Sequence, residues 1–142
     1  MGRSLRDILI LNGTLVALAG LLAGFPFALA ITGDITAEPR AWRMAHLEGL
    51  LNGMLLLAVA GVYRRLRLEE GQRKIMVWSL AAMAWANFAA SVIGAIFGER
   101  GLTPALPPAN LVVYSLFFAA VVGVFAGLGL VVYGVVRGRE GN

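Results

Sequence analysis

Reactive side chains are few in this chain, and they sit in strongly apolar surroundings. There is one histidine, His46, and no cysteine. Thiol nucleophiles, disulfides, zinc knuckles and iron–sulfur clusters are therefore excluded, and any histidine-dependent scheme must run through His46. Glu48 and Asn52 follow it closely, with Asn87 and Ser91 further along and Asn12 and Thr14 earlier. Three chemistries are open to His46: a hydrogen bond near a membrane surface, ligation of a metal or haem, and proton relay. One imidazole and at most one carboxylate fall short of the three or four ligands that zinc uses. Haem needs a single protein ligand. With one histidine per chain, such a haem is five-coordinate or His/Met, and Met83 is then the methionine to consider.

Spacing sharpens these options. On a helix, His46, Gly49 and Gly53 share one face, which leaves a flat groove beneath the imidazole where a planar cofactor fits. Glu48 and Asn52, four residues apart, occupy a different face. If both faces serve one site, a second copy of the helix supplies the other half, which points to a site at an oligomeric interface. Glu48 reads either as a carboxylate directed to the membrane surface, paired with Arg40 or Arg43, or as a proton-coupling acid. Asn52 and Asn87 read either as a helix–helix hydrogen bond or as two amides that orient a small polar ligand.

The elements that position these residues are four apolar stretches, near 8–32, 42–63, 75–97 and 110–136, each long enough for the roughly 20 residues of a membrane crossing. Hydrophobic residues make up 59% of the 142 and charged residues 14%, against about 25% charge in soluble domains. The expected fold is all-α, an integral membrane four-helix bundle forming a single domain over 1–142. Arg3, Arg6 and Ala28-Leu29-Ala30 imitate a signal peptide, but the first apolar run exceeds its 7–15 residues, so a retained helix is expected. Nine basic residues flank one side (Arg3, Arg6, Arg64, Arg65, Arg67, Arg73, Lys74, Arg137 and Arg139) and three the other (Arg40, Arg43 and Arg100). That asymmetry predicts an N-in/C-in protein of the bacterial inner membrane with both termini cytoplasmic. It reads the net charge of +4 as topology and lipid contact rather than nucleic-acid binding.

Each stretch carries Gly-x-x-x-Gly: Gly20/Gly24, Gly49/Gly53, Gly94/Gly98 and Gly123/Gly127. Close backbone packing and a capacity to oligomerise follow. Trp42 and Tyr63 lie about 31 Å apart at 1.5 Å per helical residue, which suits two membrane interfaces; Tyr114 and Tyr133 read either the same way or as bundle packing. The proline-rich connection 101–108 cannot be helical and reads as a fixed cap over the bundle mouth, or as a plain linker.

Trp42-Arg43-Met44-Ala45-His46, Leu51-Asn52-Gly53-Met54, Trp85-Ala86-Asn87 and Arg100-Gly101-Leu102-Thr103 stand in an order and spacing that resemble styrene oxide isomerase over about residues 42–103. The resemblance implies a membrane-embedded homotrimer that binds haem b between subunits with His46 as the axial ligand to ferric iron. It implies conversion of lipophilic aryl epoxides to aldehydes by a Meinwald rearrangement with a 1,2-hydride shift. Asn52 would help position the epoxide oxygen, and Asn87 would belong to the same pocket. Where the family has a tyrosine, one turn after Asn87, this chain has Ser91, which keeps the hydroxyl but loses reach and bulk, so a larger pocket is implied. The competing readings are a membrane haem protein with a redox or sensing role, a small proton-coupled multidrug-type transporter using Glu48, and a structural scaffold.

Overall fold

The computed structural model describes residues 4–139, the last by its backbone alone. Arg3 and the side chain of Arg139, two of the basic residues used to orient the chain, lie outside the described residues. The fold is four helices: α1 (Leu5–Thr32), α2 (Pro39–Val62), α3 (Glu70–Phe97) and α4 (Pro108–Arg139), with a short 3₁₀ turn at Tyr63–Arg65. All four are long and apolar enough to cross a membrane.

Each helix begins two to five residues before the apolar stretch expected for it, because polar first turns are set by capping rather than hydropathy. Ser4 Oγ accepts from the Asp7 N–H at 3.2 Å while the Asp7 carboxylate accepts from the Ser4 N–H at 3.3 Å, a reciprocal box that satisfies two orphan donors. Glu38 accepts from the Arg40 N–H at 3.2 Å ahead of Pro39, and proline suits a first helical position because its missing N–H costs nothing there. Glu69 and Gln72 repeat the box at α3. α1 and α3 stop where Gly33 (φ 79°) and Gly98 (φ 71°) turn left-handed, a conformation that a Cβ would penalise. Gly98 is thus the cap of α3 and not half of a packing pair.

The other glycine pairs hold two helical hairpins together inside the chain. A Cβ on Gly53 would lie 2.6 Å from the Gly13 carbonyl and 2.7 Å from Ala17, so α2 rests on α1 there. Gly123 faces Ser79 and Met83, and Gly127 faces Leu80, which seats α4 on α3. α2 and α3 join the hairpins, with a smaller contact between α1 and α3.

The packed core lies in the half of the bundle that carries the termini, around Leu9, Val16, Leu56, Met76, Val77 and Leu80, all fully buried. The same end gathers the basic residues. Arg6 donates to the Ala60 carbonyl at 3.1 Å, Arg137 pairs with Glu69 at 3.2 Å, and Arg73 donates to the Leu66 and Leu68 carbonyls at 2.7 and 3.0 Å. Tyr63, expected as an interface ring, stacks under the Arg73 guanidinium at 5.0 Å. Outward faces are apolar, with Phe25 68% and Phe125 76% exposed. In water, surfaces of that kind associate; in lipid they are solvated.

Candidate functional site

The polar side chains of interest occupy the other half of the bundle, and α2 carries them on two faces. One face meets α1. Where Gly20 and Gly49 bring α1 and α2 into backbone contact, a Cβ on Gly20 would lie 2.6–2.8 Å from Leu50 and Gly49. That closeness lets His46 Nδ1 reach the Gly20 carbonyl at 2.8 Å. Gly24 opens the space for the ring, since a Cβ there would stand 3.0 Å from Nδ1, and Phe27 stacks near the imidazole at 6.2 Å and 23°.

The groove expected beneath the imidazole is therefore filled. Gly49 and Gly53 lie against the backbone of α1, because helix–helix contact in lipid is gained by close backbone approach. Within one chain no space remains along that stripe for a planar group. Met83, the methionine considered for a second ligand, is buried in the hydrophobic core with its Cβ against Gly123 on α4.

A carbonyl oxygen only accepts, so we assign the proton of the neutral imidazole to Nδ1. Nε2 then carries the lone pair, and it makes no hydrogen bond among the described residues. This is the arrangement in which histidines ligate metals, the second nitrogen held by a backbone carbonyl. No three His, Cys, Asp or Glu side chains converge among the described residues. The donor set suits a group that needs one protein ligand and not a zinc ion.

The second face of α2 meets α3. Glu48 Oε2 accepts from Asn52 Nδ2 at 3.0 Å, one turn along its own helix, and from Asn87 Nδ2 on α3. Asn52 is 8% exposed. The asparagines thus converge, as their depth in the sequence suggests, but through Glu48 and not directly. Glu48 makes no ion pair with Arg40 or Arg43; the two ion pairs formed among the described residues are Lys74–Glu70 and Arg137–Glu69. Its partners are amides, where residue types alone suggest an arginine. The spacing of four from Asn52 is what places a carboxyl over an amide on one helix face.

Ser91 lies one turn beyond Asn87 on the same stripe of α3. It is 5% exposed, and its Oγ is buried with no hydrogen-bond partner. Phe88, between Asn87 and Ser91 in sequence, turns instead to the α1–α2 contact, 3.1 Å from a Cβ built on Gly49. One further polar contact crosses the bundle: Trp85 Nε1 donates to Asn12 Oδ1 at 2.9 Å, tying α3 to α1.

Above the site, the connection from α3 to α4 is ordered and non-helical, as its prolines require. Asn110, buried at the start of α4, accepts from the Gly101 N–H and donates to the Thr103 and Ala105 carbonyls, each at 2.9 Å. A fixed cap, not a slack linker, closes this end.

Comparison with known proteins agrees with these features. A family model described as styrene oxide isomerase matches residues 5–136. The chain is 35% identical to hydroxylaminobenzene mutase HabB of Ectopseudomonas oleovorans over 89 residues, 63% of this chain and 51% of that protein. It is 24% identical to hydroxylaminobenzene mutase HabA of the same organism over 141 residues, 94% of this chain and 100% of that protein. The chain thus spans about half of the first relative and the whole of the second. With a match that runs from the first turn of α1 almost to the end of α4, this chain belongs to the styrene oxide isomerase family.

Proposed function

We propose that this protein is a membrane isomerase that converts lipophilic aryl epoxides to aldehydes, with haem b carried on His46. The observation that carries the reading is the His46–Gly20 bond at 2.8 Å, which leaves Nε2 as a free lone pair in a chain with no other histidine and no cysteine. Family membership supplies the reaction class. Ferric haem, when bound, supplies a Lewis acid for the epoxide oxygen.

The chain's own residues do the rest. Asn52 and Asn87 each keep one N–H beyond the one given to Glu48, and these can donate to the oxygen as the benzylic C–O bond lengthens. Neither amide is nucleophilic enough to capture the developing cation. A hydride then moves from the oxygen-bearing terminal carbon to the benzylic carbon, the oxygen stays where it is, and the aldehyde forms with no net redox change. Apolar walls matter because water would intercept the cation as a diol. Ser91, smaller than the family's tyrosine, leaves room for a bulkier aryl group.

The same reading places the site between copies. His46 faces α1, while Asn52 lies on the other face of α2, where Asn87 meets it from α3. A neighbouring α2 would bring one face of each kind together, which supports a homo-oligomer, a trimer by family resemblance. The basic end of the bundle is assigned to the cytoplasm of a bacterial inner membrane, with both termini there.

A second reading has its own support in the mutase relatives. An aryl hydroxylamine carries N–H and O–H donors, which an epoxide lacks, and the free amide oxygens of Asn52 and Asn87 and the Ser91 Oγ can accept them. Migration of its oxygen from nitrogen to a ring carbon, with the ring proton returned to nitrogen, is also an isomerisation.

The test is an absorption spectrum of wild type beside His46→Ala, followed by turnover without added reductant. A Soret band lost in the variant, with phenylacetaldehyde formed from styrene oxide, is expected. A wild type that binds haem but leaves a panel of aryl epoxides unchanged, while producing aminophenol from hydroxylaminobenzene, selects the second reading. No Soret band in either protein refutes the haem assignment.

A further inference from the structure

We propose that Glu48 is the positioning residue of this site: it fixes which end of the Asn52 and Asn87 carboxamides faces a ligand. The two ends of a carboxamide have nearly the same shape, and a half-turn about the terminal torsion exchanges donor for acceptor. Two free amides in an apolar wall would therefore offer no defined pattern. Here both donate to one atom, Glu48 Oε2, from adjacent turns of α2 and from α3. An oxygen placed between them can be met only by their nitrogen ends. Each amide is left with one N–H and its Oδ1, and neither makes another side-chain hydrogen bond among the described residues.

The arrangement has the marks of a device for a ligand and not only of a helix clamp. Glu48 makes no ion pair among the described residues, and a polar residue within a span is costly unless it has a task. A single amide pair would join α2 to α3 as well without a carboxyl group. Ser91, one turn along the same stripe, adds a buried hydroxyl without a partner. Glu48, Asn52 and Asn87 form one hydrogen-bonded polar cluster between α2 and α3, and Ser91 follows Asn87 by one turn of α3. Glu48 acts through the amides, so it shapes the rate of the reaction rather than the affinity for its apolar substrate.

The kinetic part rests on the isomerase reading above, so the experiment has a separate arm. The chain contains five asparagines, few enough to follow each side-chain NH2 by ¹⁵N-asparagine labelling of the full-length protein in micelles. Asn52 and Asn87 should each show one proton shifted by its bond to Glu48 and one that moves when acetophenone, an unreactive aryl acceptor, is added. Glu48→Leu should collapse both pairs toward the free-amide position, and Glu48→Gln, whose carbonyl can still accept from both, should restore them. On styrene oxide, Glu48→Leu should lower kcat about tenfold or more with KM changed less than about threefold, while Glu48→Gln stays within about threefold of wild type. If Glu48→Leu does not fold, the acetophenone titration of wild type decides alone: movement of both protons of each amide, or of neither, overturns the proposal. So do amide signals unchanged in Glu48→Leu, or equal losses of kcat in the two variants. A wild type inert toward aryl epoxides but with the expected amide pattern would overturn the epoxide reading and leave Glu48's role standing.

Discussion

Replacing Gly20 by alanine tests whether helix contact and histidine orientation are one feature. The added Cβ would lie 2.6 Å from Leu50 N, 2.7 Å from Gly49 C and 2.8 Å from Gly49 Cα, whereas carbon contacts settle at about 3.5–4.0 Å. All three neighbours are backbone, so no rotamer change relieves the clash, and α1 and α2 must separate by about 1 Å to restore ordinary contact. The His46–Gly20 bond, now 2.8 Å, would stretch to about 3.8 Å, beyond the roughly 3.2 Å limit of such bonds. Overpacking costs about 1–3 kcal/mol and the lost bond about 0.5–1.5, offset by about 1 kcal/mol from alanine's helix propensity. The net expectation is a loss of about 1–3 kcal/mol in reversible unfolding measured in mixed micelles. Gly129→Ala is the control: its Cβ meets nothing within 4 Å, so stability should hold or rise by up to about 1 kcal/mol. In ¹⁵N-histidine-labelled protein prepared without haem, wild type should show a protonated Nδ1 and a bare Nε2, and Gly20→Ala a mixture of tautomers. A variant within about 0.5 kcal/mol of wild type, with the imidazole signals unchanged, would refute the reasoning.

Three further outcomes follow from the geometry. Ser91→Ala removes a buried hydroxyl that has no partner, so unfolding free energy should rise by about 1 kcal/mol while KM for the substrate increases; a fall in stability would show that Oγ is already bonded. Asn110→Ala deletes three hydrogen bonds of the cap and should cost about 2–4 kcal/mol, with faster amide exchange at Gly101. Arg73→Lys keeps the charge but loses the guanidinium fork that reaches the Leu66 and Leu68 carbonyls while lying over Tyr63. Thermal unfolding should register a loss of about 1–2 kcal/mol, since lysine cannot reproduce a planar multi-donor contact.

Much of this molecule was legible from residue types alone, and the reason is solvent. Within lipid every backbone group must bond internally, so a long apolar run has to be a helix, and four runs gave four helices. Proline kept 101–107 out of a helix, although Pro108, expected to lie in the same non-helical connection, begins α4, where its missing N–H costs nothing; the single histidine without cysteine narrowed the conceivable metal chemistry. Helix periodicity also separated His46 from Asn52 correctly, because the angle between two side chains on one helix is fixed by their spacing. What periodicity cannot say is which neighbour fills each face. The stripe of His46, Gly49 and Gly53 reads equally well as a cofactor groove or as a seat for another helix. Tertiary packing gave it to α1, whose Gly20 both fills the groove and selects the nitrogen of His46 left free. Likewise Glu48, five residues after Arg43, found its partners across the bundle in Asn87 and along its own helix in Asn52. The sequence by itself determined the elements, their solvent and the inventory of reactive groups. Only the tertiary structure decided the pairings, because a hydrogen bond between helices depends on rotation and approach that no local rule encodes.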